Sequence, residues 1–338
     1  MSLDKELVRA ELEVRPAPRN PGIDAMGEEM RQVDAVIRRR LTSEVALVDQ
    51  IARYITTAGG KRIRPLLVLL FSNALGFKGA ERFELAASVE FIHTATLLHD
   101  DVVDESGLRR GRKTANAVFG NAASVLVGDF IYSRAFQMMV SVNQMKVLQV
   151  LSDATNIIAE GEVLQLMNMH DADLPVADYL KVIRYKTAKL FEASARLGAV
   201  LASAPADLEE ACADYGRSLG TAFQLIDDLL DYEGSAGEMG KNVGDDLREG
   251  KPTLPLLLAM ERGNPQERAL IRQAIETGDV DRLPEVIAAV RRTGSIEATR
   301  DAAREQTRLA ENSLAMLDNS EYKDALIELS RRCLDRSS

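Results

Sequence analysis

The stretch Leu97-Leu98-His99-Asp100-Asp101-Val102-Val103-Asp104 returns in altered form as Leu225-Ile226-Asp227-Asp228-Leu229-Leu230-Asp231. Both copies set D-D-x-x-D inside apolar runs with helical spacing. Residues four apart share a helix face, so Asp100 projects with Asp104 and Asp227 with Asp231, while Asp101 and Asp228 reach the same mouth from the side. Carboxylates in apolar surroundings are costly unless positive charge compensates them. A solvated acidic face would not carry apolar pairs on both sides of every Asp pair. The two motifs therefore predict one site, with divalent cations held between opposed helices.

The cations nearby say what else binds there. Gly107-Leu108-Arg109-Arg110-Gly111-Arg112-Lys113 follows the first motif, and Gly59-Gly60-Lys61-Arg62-Ile63-Arg64-Pro65 precedes it. Acid clusters alone suit calcium as well, but Arg forks and Lys ammonium groups suit phosphate oxygens. Mg2+ takes a few carboxylates together with substrate phosphates. A diphosphate is the expected ligand.

Away from the motifs the chain reads as helix after helix. Apolar residues recur at three- and four-residue spacing, as in Val147, Val150, Leu151, Ala154 and Ile158. Gly and Pro fall mostly at the breaks. The expected fold class is all-α: one large helical domain over residues 25–338, with roughly ten to fifteen helices. A loose N-terminal arm covers residues 1–24, which contain Pro16, Pro18 and Pro21. The Gly-rich stretch 234–252 is the longest interruption, the kind of loop that is usually functional.

A net charge of −10 over 338 residues argues against nucleic acid or an anionic membrane as the main partner. It does not exclude an anionic small molecule. Cys212 and Cys333 match no metal or redox spacing and read as reduced thiols of a cytoplasmic protein. The acidic N-terminus lacks the apolar core of a signal peptide, and no run approaches membrane-spanning length.

Taken together, G-G-K-R-I-R-P, D-D-V-V-D-E-S-G-L-R-R-G, K-T-A-K-L and F-Q-L-I-D-D-L-L-D-Y, in this order from about residue 30 onward, resemble the trans-isoprenyl diphosphate synthases. F-I-H-T-A-T-L-L-H-D-D-V-V-D-E-S and G-E-V-L-Q-L-M-N are similar to the bacterial long-chain members that make octaprenyl chains for ubiquinone. The resemblance implies a helical bundle around a deep central tunnel, working as a homodimer. It implies Mg2+, three ions per site with substrate bound, held by Asp100, Asp101, Asp104, Asp227 and Asp231, with Asp228 in the opposing set. Arg109 would contact the allylic diphosphate, and Arg110, Lys61, Arg64 and His93 would hold isopentenyl diphosphate. Lys186, Thr187 and Gln224 would line the allylic site, and Lys241 and Lys251 would approach the diphosphate on closure. His99 is assigned no role.

The implied reaction is ionisation, condensation and elimination, with the released diphosphate taking the proton. The chain fits this, having three histidines and no evident nucleophile-base pair. The primer implied is farnesyl diphosphate. The product would pass to a membrane prenyltransferase, without stable insertion of this chain in the membrane.

Short-chain members plug the tunnel with an aromatic residue four or five positions before the first Asp. Here Thr96 and Ala95 stand there. Helical periodicity puts Thr96, His93, Ile92, Val89 and Leu85 near the Asp100 face and Phe91 opposite. That face runs for about 22 Å at 1.5 Å per residue. Met139, with Leu151 from the next helix, is the expected floor, although methionine commonly fills core gaps. Other readings stay open: a different chain length from geranylgeranyl to decaprenyl, a terpene cyclase, a non-catalytic partner subunit, or a helical interaction protein. A cyclase would replace the second Asp cluster, and a partner subunit would lose the motifs.

Overall fold

The computed structural model describes residues 21–56, 60–109, 111–233 and 243–335. Among them run sixteen α-helices and one two-stranded ribbon. The N-terminal half contains α1 (Pro21–Arg40), α2 (Ala46–Thr56), α3 (Ile63–Ala74) and α4 (Glu81–Val103). The ribbon of β1 (Leu108–Arg109) and β2 (Arg112–Lys113) follows, then α5 (Ala115–Phe119), α6 (Asn121–Ser141) and α7 (Met145–Asn168). Next come α8 (Val176–Ile183), a π-turn at Arg184–Ala188, α9 (Lys189–Leu201) and α10 (Ala206–Glu233). The rest comprises α11 (Asp245–Arg248), α12 (Leu254–Arg262), α13 (Pro265–Thr277), α14 (Leu283–Arg292), α15 (Ser295–Ser313) and α16 (Glu321–Leu334).

The expected all-α class holds, with helices slightly more numerous than expected because α5 and α11 are only five and four residues long. Helix α1 begins at Pro21, so 21–24 belong to a helix rather than to the expected arm. Proline suits a first helical turn, where its missing N–H has no partner to lose. The remainder of the arm lies outside the described residues. The expected interruption at 234–252 contains α11 in its described part. None of the helices is long and apolar enough to cross a membrane, among the described residues.

Helices α3, α4, α9 and α10 form the centre. Leu67, Val68, Leu69, Leu70 and Phe71 of α3 are fully buried, as are Leu85, Ile92, Ala95 and Leu98 of α4. Phe91, on the face of α4 opposite Asp100, is buried too. Helix α4 packs on α1, α3, α6 and α9, which buries apolar residues on more than one of its faces. Tyr215 anchors the last helix, its hydroxyl donating to the Leu326 carbonyl at 2.6 Å. Close approaches need glycine at two places that matter below. Gly161 of α7 lies against the π-turn, and Gly198 of α9 lies against Phe71 and Ser72 of α3.

Candidate active site

The first Asp motif ends α4. Asp104 is the C-cap, its N–H bonded to the Asp100 carbonyl at 2.8 Å. The Asp101 carbonyl accepts from Ser106 N and from Asn116 Nδ2, each at 3.0 Å, which closes the helix end. Arg109 comes back on the ribbon, with Nε 2.8 Å and Nη2 2.7 Å from Asp101 Oδ1. Asp101 is fully buried, and its Oδ2 has no hydrogen-bond partner among the described residues. Its carboxylate does not stand at the mouth as expected but underlies Arg109. Arg110 lies outside the described residues.

The π-turn supplies the next wall. Its extra residue per turn is the type of irregularity that collects at functional sites. Lys189 N bonds back to the Arg184 carbonyl. Lys186 Nζ lies 2.6 Å from Glu162 Oε2 on α7, and both act on Asp100. Burial pushes the Asp100 carboxyl up to about 6, with Lys186 pulling down, Glu162 and Asp104 pushing up, and Arg109 pulling down. Glu162 escaped the sequence reading, because nothing local marks an α7 acid as the partner of a lysine 24 residues on.

Thr187 begins a directional chain of hydrogen bonds. Its hydroxyl donates to Gln224 Oε1 at 2.9 Å. Gln224 Nε2 donates to Asp228 Oδ1 at 2.7 Å, and the Tyr179 hydroxyl donates to Asp228 Oδ2 at 2.5 Å. Asp228 is buried, and that burial drives its carboxyl up to about 8; Asp246 adds to the shift, the two hydrogen bonds oppose it, and Asp227 adds slightly. Burial, reinforced by Asp228, keeps the Tyr179 phenol protonated. Asp228 is thus a structural acceptor inside the wall, not a group at the mouth.

Asp231 is engaged as well. Its Oδ1 accepts from Gly244 N at 3.1 Å and its Oδ2 from Asp246 N at 3.2 Å. It holds the strap from Gly244 to Lys251 that contains α11. Lys251, at the far end, reaches across to the first motif, with Nζ 3.2 Å from Asp104 Oδ2 and in contact with Glu249. Burial works against the Lys251 charge, but Asp246, Glu249 and Asp104 outweigh it and hold the ammonium firmly protonated. The strap therefore ties the second Asp motif to the first. Lys241 lies outside the described residues.

The strap links the two motifs, and they do not form two open triads. Asp100, Asp104 and Asp227 are the half-buried members, whereas Asp101, Asp228 and Asp231 are buried and held by partners within the protein. No group of three or more His, Cys, Asp or Glu is gathered around a single cation position among the described residues. Oxygen donors of this kind fit a hard divalent cation that takes its remaining ligands from phosphate and water. The Oδ2 of Asp101 is one acceptor that the described residues leave unsatisfied, although Arg109 pairs with the other oxygen.

Of the remaining expected residues, Arg64 sits with its guanidinium carbon 4.4 Å from the Phe191 ring centroid, beside the π-turn helix. Lys61 is exposed and His93 half-buried, and the Arg62–Glu90 ion pair at 2.9 Å fixes the Lys61 segment one turn from His93. His99 turns to α6, with Nε2 3.3 Å from the Val125 carbonyl. Ile92, Ala95, Met139 and Leu151 are fully buried, and Thr96 is half-buried with its hydroxyl bonded back to the His93 carbonyl.

Residues 45–290 match the family model for polyprenyl synthetase. The chain is 54% identical over 310 residues to the octaprenyl diphosphate synthase of Escherichia coli, covering 91% of this chain and 96% of that one. It is 45% identical over 314 residues to the all-trans-nonaprenyl-diphosphate synthase (geranyl-diphosphate specific) of Rhodobacter capsulatus, covering 92% and 96%. The crystal structure of a polyprenyl synthase from Caulobacter crescentus, complexed with calcium and isoprenyl diphosphate, has a TM-score of 0.91 at 44% identity. That match covers 94% of this chain and 97% of that one.

Proposed function

Because the chain belongs to the polyprenyl synthetase family, whose members condense isopentenyl diphosphate onto allylic diphosphates, we propose that it extends farnesyl diphosphate to octaprenyl diphosphate for a quinone side chain. The observation that carries the chemistry is the convergence of Arg109, Lys186 and Lys251 on the acids of the first Asp motif, with the strap that bears Lys251 held by Asp231 of the second. The 54% identity to an octaprenyl diphosphate synthase supports the length.

In this reading Asp100, Asp104 and Asp227 hold Mg2+, three ions per site, together with the allylic diphosphate. Bound ions would neutralise negative charge developing on the departing diphosphate. Arg109, Lys186 and Lys251 stabilise the same charge from fixed positions. Lys61, Arg64 and His93, with Arg110, hold isopentenyl diphosphate, and Lys241 approaches the diphosphate on closure as Lys251 does. The Thr187 hydroxyl hydrogen is used by Gln224, so Thr187 Oγ1 turns only lone pairs to the site. Such acceptors favour positive charge on an ionising carbon. The released diphosphate takes the proton at the end.

Small side chains at Ala95 and Thr96 leave room for a long chain, and Met139 with Leu151 stops its growth. The working unit is a homodimer, supported by the apolar Leu126, Val163, Leu166 and Met167 that α6 and α7 leave exposed. The enzyme works in the cytoplasm and passes its product to a membrane prenyltransferase. Likeness to the R. capsulatus synthase favours a nonaprenyl product as the second reading. Chromatography of products made by the purified protein from farnesyl and isopentenyl diphosphates with Mg2+ decides. An octaprenyl chain is expected; products of geranylgeranyl length, or none, would overturn the proposal.

A further inference from the structure

His170 stands outside the site yet grips the strap that carries Lys251. It follows α7 in a left-handed conformation, with φ of 64°. Its N–H donates to the Gly250 carbonyl at 2.7 Å. Its ring Nδ1 lies 3.0 Å from the Ile275 carbonyl in the last turn of α13. A carbonyl only accepts, so Nδ1 carries the hydrogen, and the ring satisfies one of the carbonyls that a helix end leaves unpaired.

The ring also lies close against Gly250. A Cβ on Gly250 would stand 2.2 Å from Nδ1, and Gly250 has a φ of +69°. Gly278 closes the same corner, where a Cβ would stand 2.7 Å from the Arg248 carbonyl oxygen and 3.6 Å from His170 Cε1. One residue beyond Gly250, Lys251 reaches Asp104. Asp231 holds the strap at its start, and His170 holds it at its end.

We propose that His170 is a positioning residue for Lys251: by pinning the Gly250 peptide to α13 it sets how far the ammonium reaches toward the first Asp motif. The inference rests on the proposed contact of Lys251 with the diphosphate. A partner one contact removed from the reacting groups typically matters by about tenfold or more.

The test is a double-mutant cycle on the full-length protein, with kcat and KM measured for the allylic and isopentenyl diphosphates alongside thermal melting. His170→Gly keeps the left-handed backbone and removes the ring. It should lower kcat/KM for the allylic substrate about tenfold while KM for isopentenyl diphosphate stays unchanged. His170→Asn, which tolerates this φ and can donate to the Ile275 carbonyl, should recover most of the loss. In a Lys251→Ala background His170→Gly should cause no further loss. Equal losses in both backgrounds, or full activity in His170→Gly, would overturn the inference alone. Full activity in Lys251→Ala would overturn the assignment of the lysine and the inference with it.

Discussion

Replacing Gly161 by Ala asks whether the close approach of α7 to the π-turn is what places Lys186 and Thr187. A Cβ at 161 would stand 2.6 Å from Lys186 N, 2.8 Å from Tyr185 Cβ and 2.9 Å from Tyr185 C. Two of these are backbone atoms, which cannot rotate away. Ordinary contact starts at 3.4 Å, so from 2.6 Å the two segments must part by about 0.8 Å. Overpacking of this kind costs about 1–3 kcal/mol. Ala in place of Gly inside a helix returns about 1 kcal/mol, so the net destabilisation is about 0–2 kcal/mol. The displacement, however, falls on the groups facing Asp100 and Gln224. A misplacement near 1 Å lowers turnover by up to about a hundredfold. Gly198→Ala is the control. Its Cβ would stand 2.5 Å from Phe71 Cβ and 2.8 Å from Ser72 N, which strains α9 against α3 away from the π-turn. Thermal melting and isopentenyl incorporation should show similar losses of stability for the two variants, with a disproportionate loss of kcat for Gly161→Ala alone. A Gly161→Ala protein more stable than wild type with full kcat would refute the reasoning, as would equal kcat losses in both.

Two further predictions concern product length and pH. Met139→Ala should lengthen the product distribution and Thr96→Phe should collapse it to short chains; an unchanged profile counts against the floor or the passage respectively. Asp100 and Asp228, whose ordinary value is 3.8, bind protons more tightly in the folded protein, with values of about 6 and about 8. Their contribution to stability is therefore complete below about pH 4 and is lost as pH rises through about 6 and then about 8. Metal-free protein should melt at progressively lower temperature across that window, less steeply in Asp228→Asn. Added Mg2+ should raise the melting temperature more at pH 8 than at pH 5. An Asp228→Asn protein with an unaltered pH slope would contradict the assignment.

The all-helical class was legible from spacing alone, because the apolar positions follow the helical period. The roles within each motif were not. Periodicity places Asp231 with Asp227, but the strap from Gly244 onward takes both Asp231 oxygens. It places Asp101 and Asp228 beside a mouth, whereas each is buried under a partner that comes from elsewhere in the chain, Arg109 from the ribbon and Tyr179 from α8. Glu162 and the π-turn were invisible for a related reason. A π-turn adds a residue that a 3.6-residue pattern cannot show, and the Glu162–Lys186 pair exists only once Gly161 lets the two segments touch.

The claim that both Asp motifs serve one metal-diphosphate site is tested most directly by Mg2+-dependent turnover of farnesyl and isopentenyl diphosphates in Asp100→Ala and, separately, in Asp227→Ala. With helicity by circular dichroism unchanged, each variant should lose about a thousandfold or more, the equivalent of roughly 4 kcal/mol of barrier. Turnover close to wild type in either variant would contradict the account.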